Sequence, residues 1–164
     1  MKKRWICLLV ENEVGVLAKI TGLLSSKLYN IDSLTAAITE DPTISRLNIS
    51  ITSDDKTFEQ IKKQLNRSVE VIKVIDCSSI PIHINEILYV KINACSEKDK
   101  TEILRISQIF EIKIIDYNSR SMILQCTQSE NKNDDLVALL KNNFPNRVEA
   151  VRGGIVAIEA IGIA

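Results

Sequence analysis

The predicted fold follows from the sequence ENEVGVLAKITGLLSSKLYNI, residues 11–31. The apolar residues that follow Gly15 recur every three or four positions, which predicts a helix over about residues 14–28. Asn12 stands just before this pattern and is a good helix cap. The chain contains only five glycines, and glycine in a helix costs roughly 0.5 to 1 kcal/mol relative to alanine. The glycine at the helix start therefore needs a physical reason.

Two interpretations of Gly15 remain open at this level. The glycine either allows the turn between strand and helix to pack, or it allows a ligand to approach the first backbone N–H groups. The N-terminus of a helix carries unpaired N–H groups and a partial positive charge, and both suit a carboxylate. Spacing alone does not decide between the two interpretations.

The segments around this helix follow the order β-α-β-β-α-β. RWICLLVE (4–11) and IDSLTAAIT (31–39) are typical of strands. RLNISIT (46–52) alternates apolar and polar residues, which predicts a hairpin strand with one wet face. DKTFEQIKKQLNRS (55–68) has helical spacing, and VEVIKVID (69–76) closes the unit as a strand.

The same order recurs in the second half of the chain. EILYVKINAC is a predicted strand, and Ser96 with Asp99 resembles a capping box before the next helix. The remaining hairpin, helix and strand are IKIIDY with SMILQCT, DDLVALLKNNF, and RVEAVRGGIVAIEAI. The predicted fold is α+β, with two tandem ferredoxin-like (βαββαβ) domains, 1–77 and 86–164, joined by a linker at 78–85. Helices cover one face of each sheet, so the other face must stay polar or meet a partner, which favours oligomerisation.

Composition excludes several classes of function. The 164 residues are 45% hydrophobic and carry 21 basic and 21 acidic side chains, so no net field attracts nucleic acid or an anionic membrane. Ferredoxin-like domains that bind RNA stack bases on aromatic residues of the sheet, whereas this chain is only 4% aromatic. No apolar run is long enough to cross a membrane, and the N-terminus does not resemble a signal peptide. We expect a cytoplasmic protein with no nucleic-acid or membrane partner.

Catalytic and metal-binding residues are scarce. The single histidine, His83, lies in the predicted linker, and no phosphate-binding or dinucleotide-binding glycine motif occurs. The cysteines are far apart in sequence and form no C-x-x-C pair, so we interpret them as reduced thiols packed like small apolar residues: Cys7, Cys77, Cys95 and Cys126. We expect no catalytic residue and no metal site on this chain.

Several segments resemble one family. LLVENEVGVLAKITGLLSSKLYNIDSLT (8–35) is similar to the opening of the small, regulatory subunit of bacterial acetolactate synthase (acetohydroxyacid synthase), whose first domain is an ACT domain. TEDPTISRLNI (39–49) resembles the hairpin of that family. IFEIKIIDYNSRSMILQCT (109–127) and VEAVRGGIVAI (148–158) resemble its C-terminal domain. The resemblance runs from about residue 4 to residue 158.

The resemblance implies a regulator of branched-chain amino acid (valine, isoleucine, leucine) biosynthesis that is not itself an enzyme. In this family the large, catalytic subunit carries thiamine diphosphate, magnesium and FAD, and it joins two pyruvates, or pyruvate and 2-oxobutyrate. The small subunit pairs through its ACT domains as a homodimer, raises the activity of the catalytic subunit and confers inhibition by valine. The alternative is a stand-alone ACT regulator that senses amino acids without a thiamine-dependent enzyme.

The resemblance also implies an effector site between paired ACT domains. Its residues are the four at the start of the first helix and two supplied by the partner chain: Asn12, Gly15, Val16 and Leu17, with Asn30 and Ile31. The sequence departs from the family at Leu28, where glycine is usual, and at Gly153, where serine or threonine is common. The first departure affects the turn that leads to Asn30, because a residue with a Cβ must make that turn.

Overall fold

The computed structural model describes residues 1–162 and contains the predicted β-α-β-β-α-β order twice. The first repeat consists of β1 (Lys2–Glu11), α1 (Val16–Ser26), β2 (Ser33–Ile38), β3 (Ile44–Ser53), α2 (Asp55–Leu65) and β4 (Val71–Asp76). The second consists of β5 (Ile82–Ile92), α3 (Glu97–Ile109), β6 (Lys113–Tyr117), β7 (Met122–Gln128), α4 (Glu130–Asn143) and β8 (Val148–Glu159). The two sheets have the strand orders β2-β3-β1-β4 and β6-β7-β5-β8. The α+β, tandem ferredoxin-like fold is confirmed.

The chain divides into two compact units, which are residues 1–83 with the segment from Ile155 onward, and residues 84–154. The strand β5 begins at Ile82, inside the predicted linker, so the residues before Glu86 are extended rather than irregular. The domain boundaries at 77 and 86 remain a prediction. The last two residues of the predicted second domain, 163 and 164, lie outside the described residues.

The core of the first unit lies between one face of its sheet and the two helices. Alternate residues of the paired strands β1 and β3 point to this face, because successive side chains of a strand alternate. Helices α1 and α2 add side chains at helical spacing. The buried side chains are Ile6, Leu8, Val10, Leu47, Ile49 and Ile51 from the strands, and Val16, Ile20, Leu24, Phe58, Ile61 and Leu65 from the helices.

The polar side chains of β3 on the opposite face are mostly buried, so the prediction of a solvated face on β3 is wrong. Asn48 and Ser50 are only 8% and 1% exposed. The Asn48 amide donates to the Thr35 hydroxyl at 3.1 Å, which satisfies part of its hydrogen-bonding capacity within the sheet. Within the first unit, the Thr35 hydroxyl donates in turn to the carbonyl of Ile155 at 2.8 Å. These partners are distant in sequence, so alternation along β3 could not predict them.

Helix α1 ends in a Schellman motif whose left-handed position is Leu28. The N–H of Leu28 donates to the Ser25 carbonyl at 2.9 Å, and the N–H of Tyr29 donates to the Leu24 carbonyl at 3.2 Å. Leu28 has φ of 59°, a conformation that glycine adopts most easily. Its side chain is 93% exposed. The turn that leads to Asn30 therefore forms without glycine and with ordinary motif geometry, at the cost of backbone strain.

We expect Leu28→Gly to stabilise the protein. Relief of the left-handed strain contributes about 1 to 2 kcal/mol, and the greater freedom of glycine in the unfolded chain removes about 0.4 to 1 kcal/mol. The net gain should be about 0.5 to 1 kcal/mol, measured as a rise in the urea midpoint. Leu28→Ala is the matched control, because alanine loses the exposed side chain but keeps the strain. An equal gain in both variants would contradict this explanation.

The core of the second unit repeats the arrangement of the first. The predicted capping box is confirmed at the start of α3, where the Asp99 N–H donates to the Ser96 hydroxyl at 3.2 Å and the Ser96 N–H donates to the Asp99 carboxylate at 2.8 Å. The core side chains come from β5, β7, both helices and the residue that follows α4, and they include Leu88, Val90, Ile92, Ile103, Ile106, Met122, Leu124, Leu136, Leu140 and Phe144.

A buried polar network joins three elements of the second unit. Glu86 near the middle of β5 is only 4% exposed, and Asn133 of α4 is fully buried. The Glu86 carboxylate accepts from the Asn133 amide at 2.9 Å and from the Arg152 guanidinium at 3.2 Å. Arg152 also pairs with Asp134 at the surface. A buried carboxylate is tolerated only when it is paired and hydrogen-bonded, so this network fixes β8 to β5 and α4.

The departure from the family at Gly153 has a local cause. A Cβ placed on Gly153 would lie 2.3 Å from the Cγ2 methyl of Ile87, and real Cβ atoms do not approach that closely. Ile87 is β-branched and stiff at its first side-chain torsion, so the methyl cannot move away freely. The bulk of Ile87 therefore excludes serine and threonine at position 153.

Candidate functional site

Gly15 is the residue that precedes α1, and its backbone conformation favours glycine. It is the N-cap of α1 with φ of 91° and ψ of −15°, in the left-handed region. A Cβ on Gly15 would meet no atom within 4 Å. The constraint is therefore conformational, since the surrounding space is open. The first intrahelical hydrogen bond runs from the Lys19 N–H to the Gly15 carbonyl at 2.9 Å, so the N–H groups at the start of α1 precede the helical ladder.

Asn12 does not cap the helix, so that prediction is wrong. Its side-chain amide donates to the Pro42 carbonyl at 2.9 Å, and its side-chain oxygen accepts from the Ser45 hydroxyl at 2.9 Å. Its backbone N–H donates to the Thr43 carbonyl at 2.7 Å. Asn12 thus fastens the turn between β2 and β3 to the end of β1. Gly15, three residues further along the chain, occupies the N-cap position instead.

A cavity of about 240 Å³ opens beside the start of α1. The walls come from the end of β1, the first turn of α1, the second half of β2 and the start of β3. The lining residues are Val10, Glu11, Asn12, Glu13, Val16, Leu17, Ala36, Ala37, Ile38, Ser45 and Leu47. Three of the predicted site residues, Asn12, Val16 and Leu17, therefore lie around one cavity, and Gly15 adjoins it in sequence.

The chemistry of this cavity is mixed. Aliphatic and small side chains form most of the walls, while Glu11 and Glu13 stand exposed at the rim. Lys19 forms an ion pair with Glu70 one helical turn beyond Gly15. The hydrogen bond within this ion pair raises the pKa of Lys19, and the negative charges of Glu13 and Glu11 also raise it. Lys19 thus places a positive charge close enough to interact with both rim carboxylates.

The cavity lies along an edge strand of the first sheet. β2 is at one end of the sheet order, and its last three residues, Ala36, Ala37 and Ile38, are exposed and line the cavity. Ile38 is 62% exposed. An edge strand presents unpaired N–H and C=O groups, and natural proteins usually protect it with charge, proline or a covering element. Exposed apolar residues on such an edge are typical of a surface that another chain covers.

Asn30 and Ile31 lie at the other end of α1. The helix has 11 residues and is therefore about 16 Å long, so the two cannot join Val16 and Leu17 around one small ligand within a single chain. The Asn30 amide is exposed and donates to the Asp32 carboxylate at 3.3 Å. Ile31 is half-buried and packs on the core of the first unit.

Sequence reasoning missed the contribution of the β2–β3 hairpin to the cavity. Ala36, Ala37, Ile38 and Ser45 line it, although none was predicted as a site residue. The two successive alanines in an otherwise bulky strand were an available signal, since small side chains leave room beside a helix.

His83 is exposed and lies in β5. Among residues 1–162, no three His, Cys, Asp or Glu side chains group closely enough to hold a metal ion. Within the same range, every helix is too short or too polar to span a membrane. The four cysteines are free and buried.

Two family comparisons cover most of the chain. Residues 6–73 match the family described as AHAS small subunit-like ACT domain. Residues 85–161 match the family described as small subunit of acetolactate synthase. Together with the geometry above, these matches define the class: a tandem ferredoxin-like protein whose first unit is an ACT domain.

Full-length relatives agree with both matches. The acetolactate synthase small subunit of Haemophilus influenzae is 36% identical over 156 residues, which are 95% of this chain and 94% of that protein. The acetolactate synthase isozyme 3 small subunit of Salmonella typhimurium is 38% identical with the same coverage of both chains. The crystal structure of the acetolactate synthase small subunit from Thermotoga maritima matches with a TM-score of 0.88 at 34% identity, covering 99% of this chain and 100% of that one. The chain belongs to the family of acetolactate synthase small subunits.

Proposed function

We propose that this chain binds the catalytic subunit of acetolactate synthase, raises its activity and makes it sensitive to valine. The relatives are named as small subunits of that enzyme and match along nearly the whole chain, which supports a regulatory role in branched-chain amino acid biosynthesis. A stand-alone sensor is not favoured, because the second unit also matches the small-subunit family. Thiamine diphosphate, magnesium and FAD would be held by the catalytic subunit, and this chain would act in the cytoplasm without a cofactor of its own.

The observation that carries the effector proposal is the cavity beside the start of α1. Its volume of about 240 Å³ is below the roughly 300 to 1,000 Å³ of pockets for drug-sized ligands, so it suits a ligand as small as a single amino acid. Val16, Leu17 and the alanines of β2 offer an apolar wall to an isopropyl group. The effector domain in this proposal is the ACT domain at 1–77.

Both charged groups of a free amino acid have complementary surroundings at this cavity. The N–H groups at 15 to 17 and the positive end of α1 would hold the carboxylate, although the Val16 N–H is already shared with the Glu13 carbonyl at 3.3 Å. The rim carboxylates of Glu11 and Glu13 would attract the ammonium group. A zwitterion satisfies both demands, whereas a simple anion would be repelled by the rim.

We further propose that the site is completed by a second copy of the chain. The apolar edge of β2 borders the cavity, so a homodimer formed through the ACT domains would cover the cavity mouth. The segment that follows the partner's α1 would then supply its Asn30 and Ile31 to the ligand, since the two residues of the same chain are too distant. The Asn30 amide has both donor and acceptor atoms for the polar end of valine.

Regulation would follow from linkage. Valine would bind more tightly to the arrangement of the complex in which the catalytic subunit is less active, and it would thereby increase the population of that arrangement. The coupling must be reciprocal, so the catalytic subunit in its active arrangement would weaken valine binding by the same factor.

Reconstitution tests the activator role. We expect the chain to co-elute with the catalytic subunit of the same organism and to raise the rate of acetolactate formation several-fold at saturation. The chain alone should give no acetolactate. Failure to co-elute, together with an unchanged rate, would contradict the proposal and leave the stand-alone sensor as the better explanation.

A further inference from the structure

Two cysteines that are distant in sequence meet inside the first unit. Cys7 lies in the middle of β1, and Cys77 directly follows β4, the strand that pairs with β1. The Cys77 N–H donates to the Trp5 carbonyl at 3.0 Å, which continues the ladder by one residue. The two sulfur atoms are 2.8 Å apart, and the Cys77 thiol donates to Cys7. Both side chains are buried, with exposures of 1% and 3%.

The surroundings shift the pKa values of the two thiols in opposite directions. The hydrogen bond from Cys77 lowers the pKa of Cys7, and the Arg46 guanidinium lowers it further, against the effect of burial. Arg46 is held in place by a hydrogen bond of 2.8 Å to the carbonyl of Ala157 within the same unit. The hydrogen bond to Cys7, followed by burial, raises the pKa of Cys77. Cys7, whose thiol donates to the Asn48 amide oxygen at 3.2 Å when protonated, is therefore the thiol of the pair that loses its proton more readily and is the better nucleophile.

We propose that Cys7 and Cys77 form a redox modification site that hydrogen peroxide converts to an intrachain disulfide. The Cys7 thiolate attacks one oxygen of the peroxide, the O–O bond breaks, and a sulfenic acid forms as hydroxide leaves and takes a proton to become water. The Cys77 sulfur then attacks the sulfenic sulfur, loses its proton, and releases a second water. Two electrons pass from the dithiol to one peroxide. A small dithiol reverses the reaction by exchange.

The other two cysteines have different hydrogen-bond partners. Cys95 lies beside α3 and its thiol donates to the Ile92 carbonyl at 3.4 Å, while the Cys126 thiol donates to the Asn133 amide oxygen at 3.2 Å. Burial is the main factor that raises the pKa of each of these two thiols. Neither has a second sulfur as its hydrogen-bond partner, so they serve as internal controls.

Peptide mapping of the peroxide-treated wild-type chain tests the proposal. We expect the free-thiol count to fall from four to two in the folded protein. Trypsin without reductant should release a linked pair of peptides, 5–19 and 74–91, and reductant should separate them. Peptides 92–98 and 121–132, which carry the other two cysteines, should stay unlinked. Retention of four thiols, linkage of another pair, or linkage only in urea would overturn the proposal.

Two variants test which cysteine is the nucleophile and which cysteines form the disulfide. Cys77→Ser removes the resolving thiol, so the sulfenic acid on Cys7 should persist and react with dimedone, adding a label to peptide 5–19. The double variant Cys95→Ser with Cys126→Ser should still form the disulfide at the wild-type rate. Labelling of Cys95 or Cys126 in preference to Cys7 would overturn the assignment of the nucleophile. The wild-type mapping remains decisive if either variant fails to fold.

Discussion

Gly15→Asp is expected to abolish valine binding at concentrations that saturate the wild type. The new carboxylate would stand at the helix start, where the proposed site holds the carboxylate of the ligand. Two unit charges about 6 Å apart at an effective dielectric constant of about 20 repel by about 3 kcal/mol, which corresponds to a roughly 100-fold loss of affinity. Isothermal titration calorimetry of valine measures the loss.

Gly15→Asn separates charge from backbone strain. Asparagine has nearly the shape of aspartate and tolerates the left-handed conformation that Gly15 adopts with φ of 91°. Because a Cβ meets no atom within 4 Å, both variants should lose only about 1 kcal/mol of stability. We expect Gly15→Asn to bind valine within a few-fold of the wild type. Equal valine affinities of Gly15→Asp and the wild type would mean that the start of α1 is not part of the valine site.

Arg152→Ala is expected to give the largest loss of stability among the substitutions considered. The Glu86 carboxylate is only 4% exposed. The substitution removes its hydrogen bond from Arg152 and leaves the one from the Asn133 amide. Removing one partner of a buried ion pair costs about 3 to 5 kcal/mol, and because the Arg152 side chain is 33% exposed, we expect about 2 to 3 kcal/mol. Urea unfolding of the full chain measures the change.

Two further variants identify the cause of that loss. Arg105→Ala removes an arginine whose carboxylate partner, Glu102, lies 3.7 Å away at the surface, and such pairs contribute less than about 1 kcal/mol. Adding Glu86→Gln to Arg152→Ala removes the stranded charge, so the double variant should be more stable than Arg152→Ala alone. A loss no larger than that of Arg105→Ala would mean that the network does not stabilise the second unit.

Local patterns in the sequence predicted the elements well. The period of α1 and the alternation of β3 are properties of neighbouring residues, and the capping box at Ser96 and Asp99 is complete within four residues. Gly15 was recognisable as unusual, although only the structure gives its φ of 91°. Its conformation depends on how the chain leaves β1, which no single residue type specifies.

Long-range pairing could not be predicted in the same way. Asn12 was expected to cap α1, but its side chain instead bonds to the hairpin 30 residues further along the chain. Asn48 is buried because partners arrive from β2, and Cys7 meets Cys77 across 70 residues. Each of these contacts depends on strand register, which is set by the packing of the whole sheet. The predicted effector residues remain a proposal that a binding experiment must decide.

A valine titration of the reconstituted enzyme decides whether this chain, as we propose, confers valine sensitivity on acetolactate synthase through its ACT domain. We predict that valine lowers the rate of acetolactate formation to a plateau when the wild-type chain is present, and that it has little effect on the catalytic subunit alone. With Gly15→Asp present, stimulation should persist while inhibition is lost. A stimulated rate that valine leaves unchanged, or equal inhibition without this chain, would contradict the claim.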